Sequence, residues 1–396
     1  MDFLQGSIRS DMPLQDGKII SMEEETKWLE DSVAPLLKLT QAMKGIMPVG
    51  RMQHNHRVRK LLPLAHTTTA AFTSGKTTLS VTNPLAFIAN DAIYVPSLQK
   101  FLFCATTPSS GATSIAVRKK DGATGTGPDF NIPNNTVVLN LMESHAEGGA
   151  VPVARTVKEE LVSTYIYEWG ELVKVTNIEN SEQNYGNEKT LDKNRKAAQL
   201  TRLRALEMMF ITGANMRETT SASGARRHLP AGLEYHLYST AVDASAIAGG
   251  LTLAALANII RPTKAVSSSS DEKLLMSGTA LWQTISAMPL SAVRIEVGED
   301  KTWGVTLNRL ITAFGNFKCM YNPLLAPEYG MGDRAFILDT DHLQQLELQG
   351  NPARVLYDMG GANDPHNISD YLTGTRGFEI IHADTLHKEI INITGS

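Results

Sequence analysis

Between residues 67 and 150 the chain turns rich in Thr, Ser, Ala and Gly, and short β-prone runs follow one another at near-regular spacing. They are Thr77 to Thr82, Asp91 to Val95, Lys100 to Ala105, Thr113 to Val117 and Thr136 to Met142. Asn83-Pro84, Pro108-Ser109-Ser110-Gly111 and a Gly/Pro-rich stretch from Gly122 to Pro133 separate them. Branched and aromatic side chains suit a pleated, half-buried surface, while Gly, Pro and Asn supply the turns. Strands at that interval predict a compact antiparallel sandwich or barrel inserted between two segments of different character. At 396 residues the chain has room for this module and for one or two more folded units.

Ahead of the module, residues 1 to 20 lack periodicity and read as an arm. Ser21 and Glu24 have capping-box spacing, and Met22-Glu23-Glu24-Glu25 places carboxylates where a helix dipole favours them. A helix is expected from 22 to 44, divided by Pro35 into 22–34 and 35–44, with Gly45 as the stop. Residues 44 to 60 carry Lys44, Arg51, Arg57, Arg59 and Lys60 with His54 and His56 and no acid. Such a run contacts phosphates, lines a solvated strand edge, or pairs with acidic surfaces.

Behind the module, Leu161 to Trp169 and Leu172 to Thr176 are β-branched and aromatic, as in a long strand or half of a hairpin. Read as an exposed ribbon without a core, this segment needs a neighbour to cover it. Trp169→Ala or Tyr167→Ala is then expected to weaken assembly more than folding. Residues 191 to 213 predict a long helix with Leu200, Leu203, Leu206 and Phe210 on one stripe and Gly213 as its stop. Glu207 falls beside that stripe, either in a surface ion pair with Arg204 or in an intersubunit bridge. The remainder reads as mixed: a helix capped by Thr252, the strand Lys273 to Met276, a helix from Gly278 to Met288, and strands at 305–313, 316–321, 335–339 and 377–381. The order is α+β, without repeated βαβ units.

Catalytic chemistry finds little support. Gly75-Lys76-Thr77-Thr78 copies the end of a phosphate-binding loop, but the required earlier glycine is Ala70 and a strand follows where a helix should begin. No Gly-x-Ser-x-Gly or His-Glu-x-x-His occurs. His54 with His56 and His382 with His387 read as ordinary histidines, and Asp339-Thr340-Asp341-His342 and Asp364-Pro365-His366 as turn-shaping Asp residues. Cys104 and Cys319 read as separate reduced thiols, with no cofactor or metal site expected. No apolar run approaches the ~20 residues of a bilayer span, and the opening lacks the pattern of a secretory signal. A formal charge of -4 argues against a surface built to coat polyanions.

The order of arm, β ribbon, long helix, α+β region and closing strand resembles the tailed-bacteriophage major capsid proteins with the Hong Kong-type capsid fold. More narrowly, it resembles the branch with a β-barrel-like insertion in the extended loop. The resemblance is carried by Glu147-Gly148, by Tyr165-Ile166-Tyr167-Glu168 to Val175-Thr176, by Leu206-Glu207, by Gly315 before a strand, and by the strip from Thr373 to Ile393. It implies an N-terminal arm at 1–50, an extended loop at 51–66 and 151–180, and an inserted β domain at 67–150. A peripheral domain with the spine helix would take 181–224 and 365–396, and an axial domain 225–364. Intersubunit contacts would then fall on Arg51, Arg57, Arg59, Lys60, Tyr165, Tyr167, Glu168, Trp169 and Lys174, with Leu203, Leu206, Glu207 and Phe210 as the spine-helix core. The implied function is a non-enzymatic subunit of the virion, built in the host cytoplasm. Its partner is chiefly itself, as pentamers and hexamers around double-stranded DNA, with portal, scaffolding and cement proteins as further partners. The alternative is a virion decoration or glycan-binding adhesion protein, motivated by the Thr/Ser-rich module.

Overall fold

A computed structural model describes residues 34–119, 126–143, 159–181, 189–218, 226–247, 251–264, 269–270, 272–287, 294–296, 301–302, 305–306, 308–312, 315–359 and 366–394. The expected helix at 22–34, Glu147-Gly148 and Asp364-Pro365 lie outside these residues. The chain divides into two units, Arg57–Val162 and the remainder. It passes between them within the strands Gln53–Val58 and Glu160–Tyr165, which pair as a two-stranded ribbon.

The unit Arg57–Val162 holds a six-stranded antiparallel sheet. Its spatial order is Ala65–Thr67, Val137–Glu143, Asp91–Val95, Lys100–Thr106, Ser114–Arg118 and Thr78–Ser80. A Thr68–Val81 bridge links the two outer strands. The β-prone runs of the sequence fall on these strands because alternation is clean: Ala92 and Tyr94 are half-buried between the fully buried Asp91, Ile93 and Val95. Phe72, Phe87, Leu102, Ile115 and Val117 complete a core of their own with the buried thiol of Cys104. Gly75 takes a turn before the strand at Thr78, as expected for a broken phosphate loop.

In the other unit two sheets share the packing. The first orders Ile46–Val49, Leu343–Leu348, Asn367–Ile380 and Tyr167–Thr176, with Arg354–Leu356 also on the third strand. The second has seven strands, centred on Ala335–Leu338, Glu272–Ser277 and Gly315–Tyr321. Helices Pro35–Lys44 and Thr190–Thr212 pack with the first sheet, and Phe210 of the long helix stacks on Phe378 at 4.7 Å. Leu256, Ile260, Leu281, Phe317 and Ile337 form the second core, which covers the helices Leu253–Lys264 and Thr279–Ala287. The short helix Pro35–Lys44 starts at Pro35 and is followed by Gly45, matching its sequence signals.

Three expectations are corrected here. Tyr167–Thr176 is no uncovered ribbon: it pairs over its whole length with Asn367–Ile380, and Trp169, Val173 and Val175 are buried in the main core. Trp169→Ala is therefore expected to destabilise the folded subunit itself. Leu203 leaves the helix core, being 37% exposed, and Ala198 and Ile211 take part in its place. Glu207 is fully buried and makes no pair with Arg204, whose guanidinium instead lies 5.4 Å over the Tyr329 ring.

The long helix ends where Gly213 meets a neighbouring chain segment. A Cβ there would lie 2.4 Å from the Pro230 carbonyl and 2.6 Å from that of Met209. Neither backbone oxygen has room to yield, so Gly213→Ala is expected to cost about 2 kcal/mol. Urea denaturation measures this, and an unchanged midpoint would show that the junction relaxes freely.

Candidate assembly surfaces

The basic run and the ribbon supply the first surface. Arg51 and Arg59 are exposed. Arg57 meets Glu159 at 3.2 Å and Lys60 meets Glu160 at 3.8 Å, across paired strands. Exposed pairs of this kind are worth little, about 0–1 kcal/mol each. Apolar side chains stand in water beside them: Leu61 is 93% exposed, Leu161 61% and Leu64 55%. Isolated exposed leucines are ordinary, but several within one short stretch ask for a covering surface.

His54 and His56 share one face of their strand, as alternation predicts, yet they are not ordinary surface histidines. Their rings lie 3.4 and 2.8 Å from one oxygen of Glu379, which is itself nearly buried. Burial works against the Glu379 charge, but His56 and His54 outweigh it and hold its carboxyl below the usual range. The basic run thus turns two of its side chains toward an acid of its own subunit.

Of the remaining ribbon candidates, Tyr165 is half-buried with its ring 5.4 Å from His228. Tyr167 lies under the Arg202 guanidinium at 4.9 Å, and Trp169 under the same group at 4.8 Å. Glu168 is exposed and accepts from the Asn351 amide at 3.4 Å, and Lys174 is exposed. The structure therefore splits the set: Arg51, Arg57, Arg59, Lys60, Glu168 and Lys174 face outward, while Trp169 faces the core.

Glu207 does something sequence reading missed. Its carboxylate accepts from the backbone amides of Leu36 and Leu37, each at 2.9 Å, and from Asn322 Nδ2 at 2.7 Å. Helix Pro35–Lys44 begins after Ala34, whose side chain caps nothing, so its first amides lack a local acceptor. Glu207 supplies one from another helix, at the end of the dipole that attracts negative charge. Burial pushes its carboxyl up to about 7, against the pull of those three donors.

A second polar knot lies in the seven-stranded sheet. Lys273 and Asp339 are both fully buried, 3.1 Å apart, and Lys273 also donates to the Leu386 carbonyl at 3.0 Å. Asp339 accepts from the Ser270 amide at 2.9 Å and caps its own turn through the Asp341 amide, the backbone-shaping role its sequence context predicts. His387 accepts from the Asp339 amide, and burial pushes its pKa down to about 3, so it stays neutral. The knot is satisfied by its own partners. Among the described residues no cluster of His, Cys, Asp or Glu is arranged to hold a metal, and no helix is long and apolar enough to cross a membrane.

The third surface is a cleft of about 290 Å³ in the larger unit. Trp169, Leu203 and Leu372 give it an apolar floor and wall, and among the described residues its ionisable lining groups are Arg202, Arg354 and Arg376.

Outward charges and exposed leucines leave the first surface open to a partner, and comparison with known families gives the chain a class. The match is to a bacteriophage major capsid protein. The model of the SU10 major capsid protein family matches residues 21–387, and the chain belongs to that family. It is accordingly a structural capsid protein that forms the shell of the virion. A search of curated proteins finds no match. Among solved structures, a chain of Microbacterium phage Oxtober96 is similar at 10% identity and a TM-score of 0.48, covering 94% of this chain and 96% of that one. The capsid of Myoviridae phage XM1 is similar at 12% identity and a TM-score of 0.46, covering 95% and 99%.

Proposed function

We propose that this subunit closes, as pentamers and hexamers, into an icosahedral shell of the Hong Kong-type fold around double-stranded DNA. The observation that carries this reading is the family match over residues 21–387. In it, residues 1–50 serve as the arm, and the ribbon of Gln53–Val58 and Glu160–Tyr165 serves as the extended loop, with the all-β unit as its insertion. The long helix Thr190–Thr212 is the spine of the peripheral domain, and residues 225–364 form the axial domain. Assembly takes place in the host cytoplasm, and portal, scaffolding and cement proteins meet the finished or growing shell. A net charge of -4 suits a container, because each strong phosphate contact would add salt-dependent grip on the packaged DNA.

The exposed leucines of the loop support its role as an intersubunit contact. Leu61→Asp/Leu161→Asp is expected to lower particle yield at least tenfold, while the melting temperature of the subunit stays unchanged, since both side chains are largely in water already. Quantitative electron microscopy of expressed particles beside thermal melting makes the test. Normal particle yield would remove the loop from the contacts.

A further inference from the structure

The arginine-lined cleft contains donors that find no acceptor among the described residues. Arg202 lies over Tyr167 and Trp169, yet its Nε and Nη2 are buried without a hydrogen-bond partner, as is the Trp169 indole N–H. Arg354 is exposed at the rim, and Arg376 is joined to Glu347. Buried N–H groups without acceptors are costly, and a guanidinium over aromatic faces is well placed to take a carboxylate in two-pronged fashion. The cleft thus fits an occupant that is both apolar and acidic.

The chain carries such a segment a few residues ahead of the cleft-lining Leu37 in sequence. Met22-Glu23-Glu24-Glu25-Thr26-Lys27-Trp28-Leu29-Glu30-Asp31 has five carboxylates against one lysine, with Trp28 and Leu29 as an apolar pair. Its tether is short. Leu37 lines the cleft, and Ala34 precedes it by about one helical turn, ~5 Å. The five residues from Ala34 back to Leu29 span up to ~18 Å when extended. A segment held that close acts at an effective concentration in the millimolar range.

We propose that the arginine-lined cleft binds the acidic Met22–Asp31 segment of the same chain, with Trp28 and Leu29 on the apolar floor and the glutamates on Arg202 and Arg354. This pairing goes beyond the shell-forming role and does not depend on it.

The test uses the unassembled full-length protein and chymotrypsin cleavage after Trp28. Docking predicts slow cleavage in the native chain and at least tenfold faster cleavage in Arg202→Glu/Arg354→Glu. Adding Glu24→Arg/Glu25→Arg to that variant restores protection by exchanging the charges. Because Arg202 also packs on Trp169, Arg354→Glu alone is the control that keeps the fold, with a three- to fivefold acceleration expected. Protection in the native chain is also expected to be independent of protein concentration. Equal cleavage rates in the native chain and Arg354→Glu would overturn the pairing. Protection that rises with concentration would assign the cleft to a neighbouring copy's arm and overturn the same-chain docking.

Discussion

Glu207→Ala is expected to destabilise the subunit by about 3–5 kcal/mol, since it removes the acceptor of three buried donors at once. The Leu36 and Leu37 amides and the Asn322 amide would all face apolar surroundings, and the helix Pro35–Lys44 would lose its only cap from outside. Glu207→Gln keeps the shape but turns one oxygen into a donor among donors, so about 1–3 kcal/mol is expected. The acid dependence has a definite sign. The folded pKa of about 7 stands above the ordinary 4.5, so the stability from this group is fully present below about 4.5 and is lost as pH rises through about 7. The neutral Gln lacks that loss, and its deficit relative to Glu should narrow between pH 5 and pH 8. Urea denaturation of both proteins at the two pH values measures this, and a deficit that widens would contradict the sign.

Lys273→Met should cost a similar amount, about 3–5 kcal/mol, because it strands a buried carboxylate. In the native subunit burial works against the Asp339 charge. The Ser270 amide, His342 and Lys273 overcome it and hold the carboxyl well below the usual range. Its stabilising contribution is therefore present above the ordinary carboxylate range and lost only as pH falls through that lowered value. Removing Lys273 takes away one of these supports, so the midpoint of acid unfolding should move to higher pH. Lys273→Met/Asp339→Leu is expected to regain part of the loss, since a missing pair is cheaper than a broken one. A single variant as stable as the native protein would mean that Asp339 does not need its lysine.

Both groups show why the sequence was readable only in part. The β-rich runs from 77 to 142 and the helix Thr190–Thr212 follow local rules of alternation, turns and helical period, and they fold where those rules point. Pro35 and Gly45 bracket a helix for equally local reasons. Asn367–Ile380 was legible only at its end, because Thr373-Gly374-Thr375-Arg376-Gly377 has the composition of a loop. It forms a strand because neighbours press on both sides: a Cβ on Gly374 would lie 2.7 Å from the Ala353 Cα. Alternation around Trp169 marks two faces without saying which one a distant strand covers, so the sequence alone points it outward. Glu207 lies 170 and 171 residues from its two amide partners and 115 from Asn322. No spacing rule reaches that far. What remained visible was a carboxylate beside an apolar stripe, which an ion pair with Arg204 would have explained equally well.

Assembly is the central claim, and electron microscopy of the purified full-length protein at rising concentration, paired with its solution mass, tests it most directly. The account predicts rings of five or six subunits and closed shells, with the mass rising in steps to match. A monomer at every concentration, without rings or shells, would contradict it.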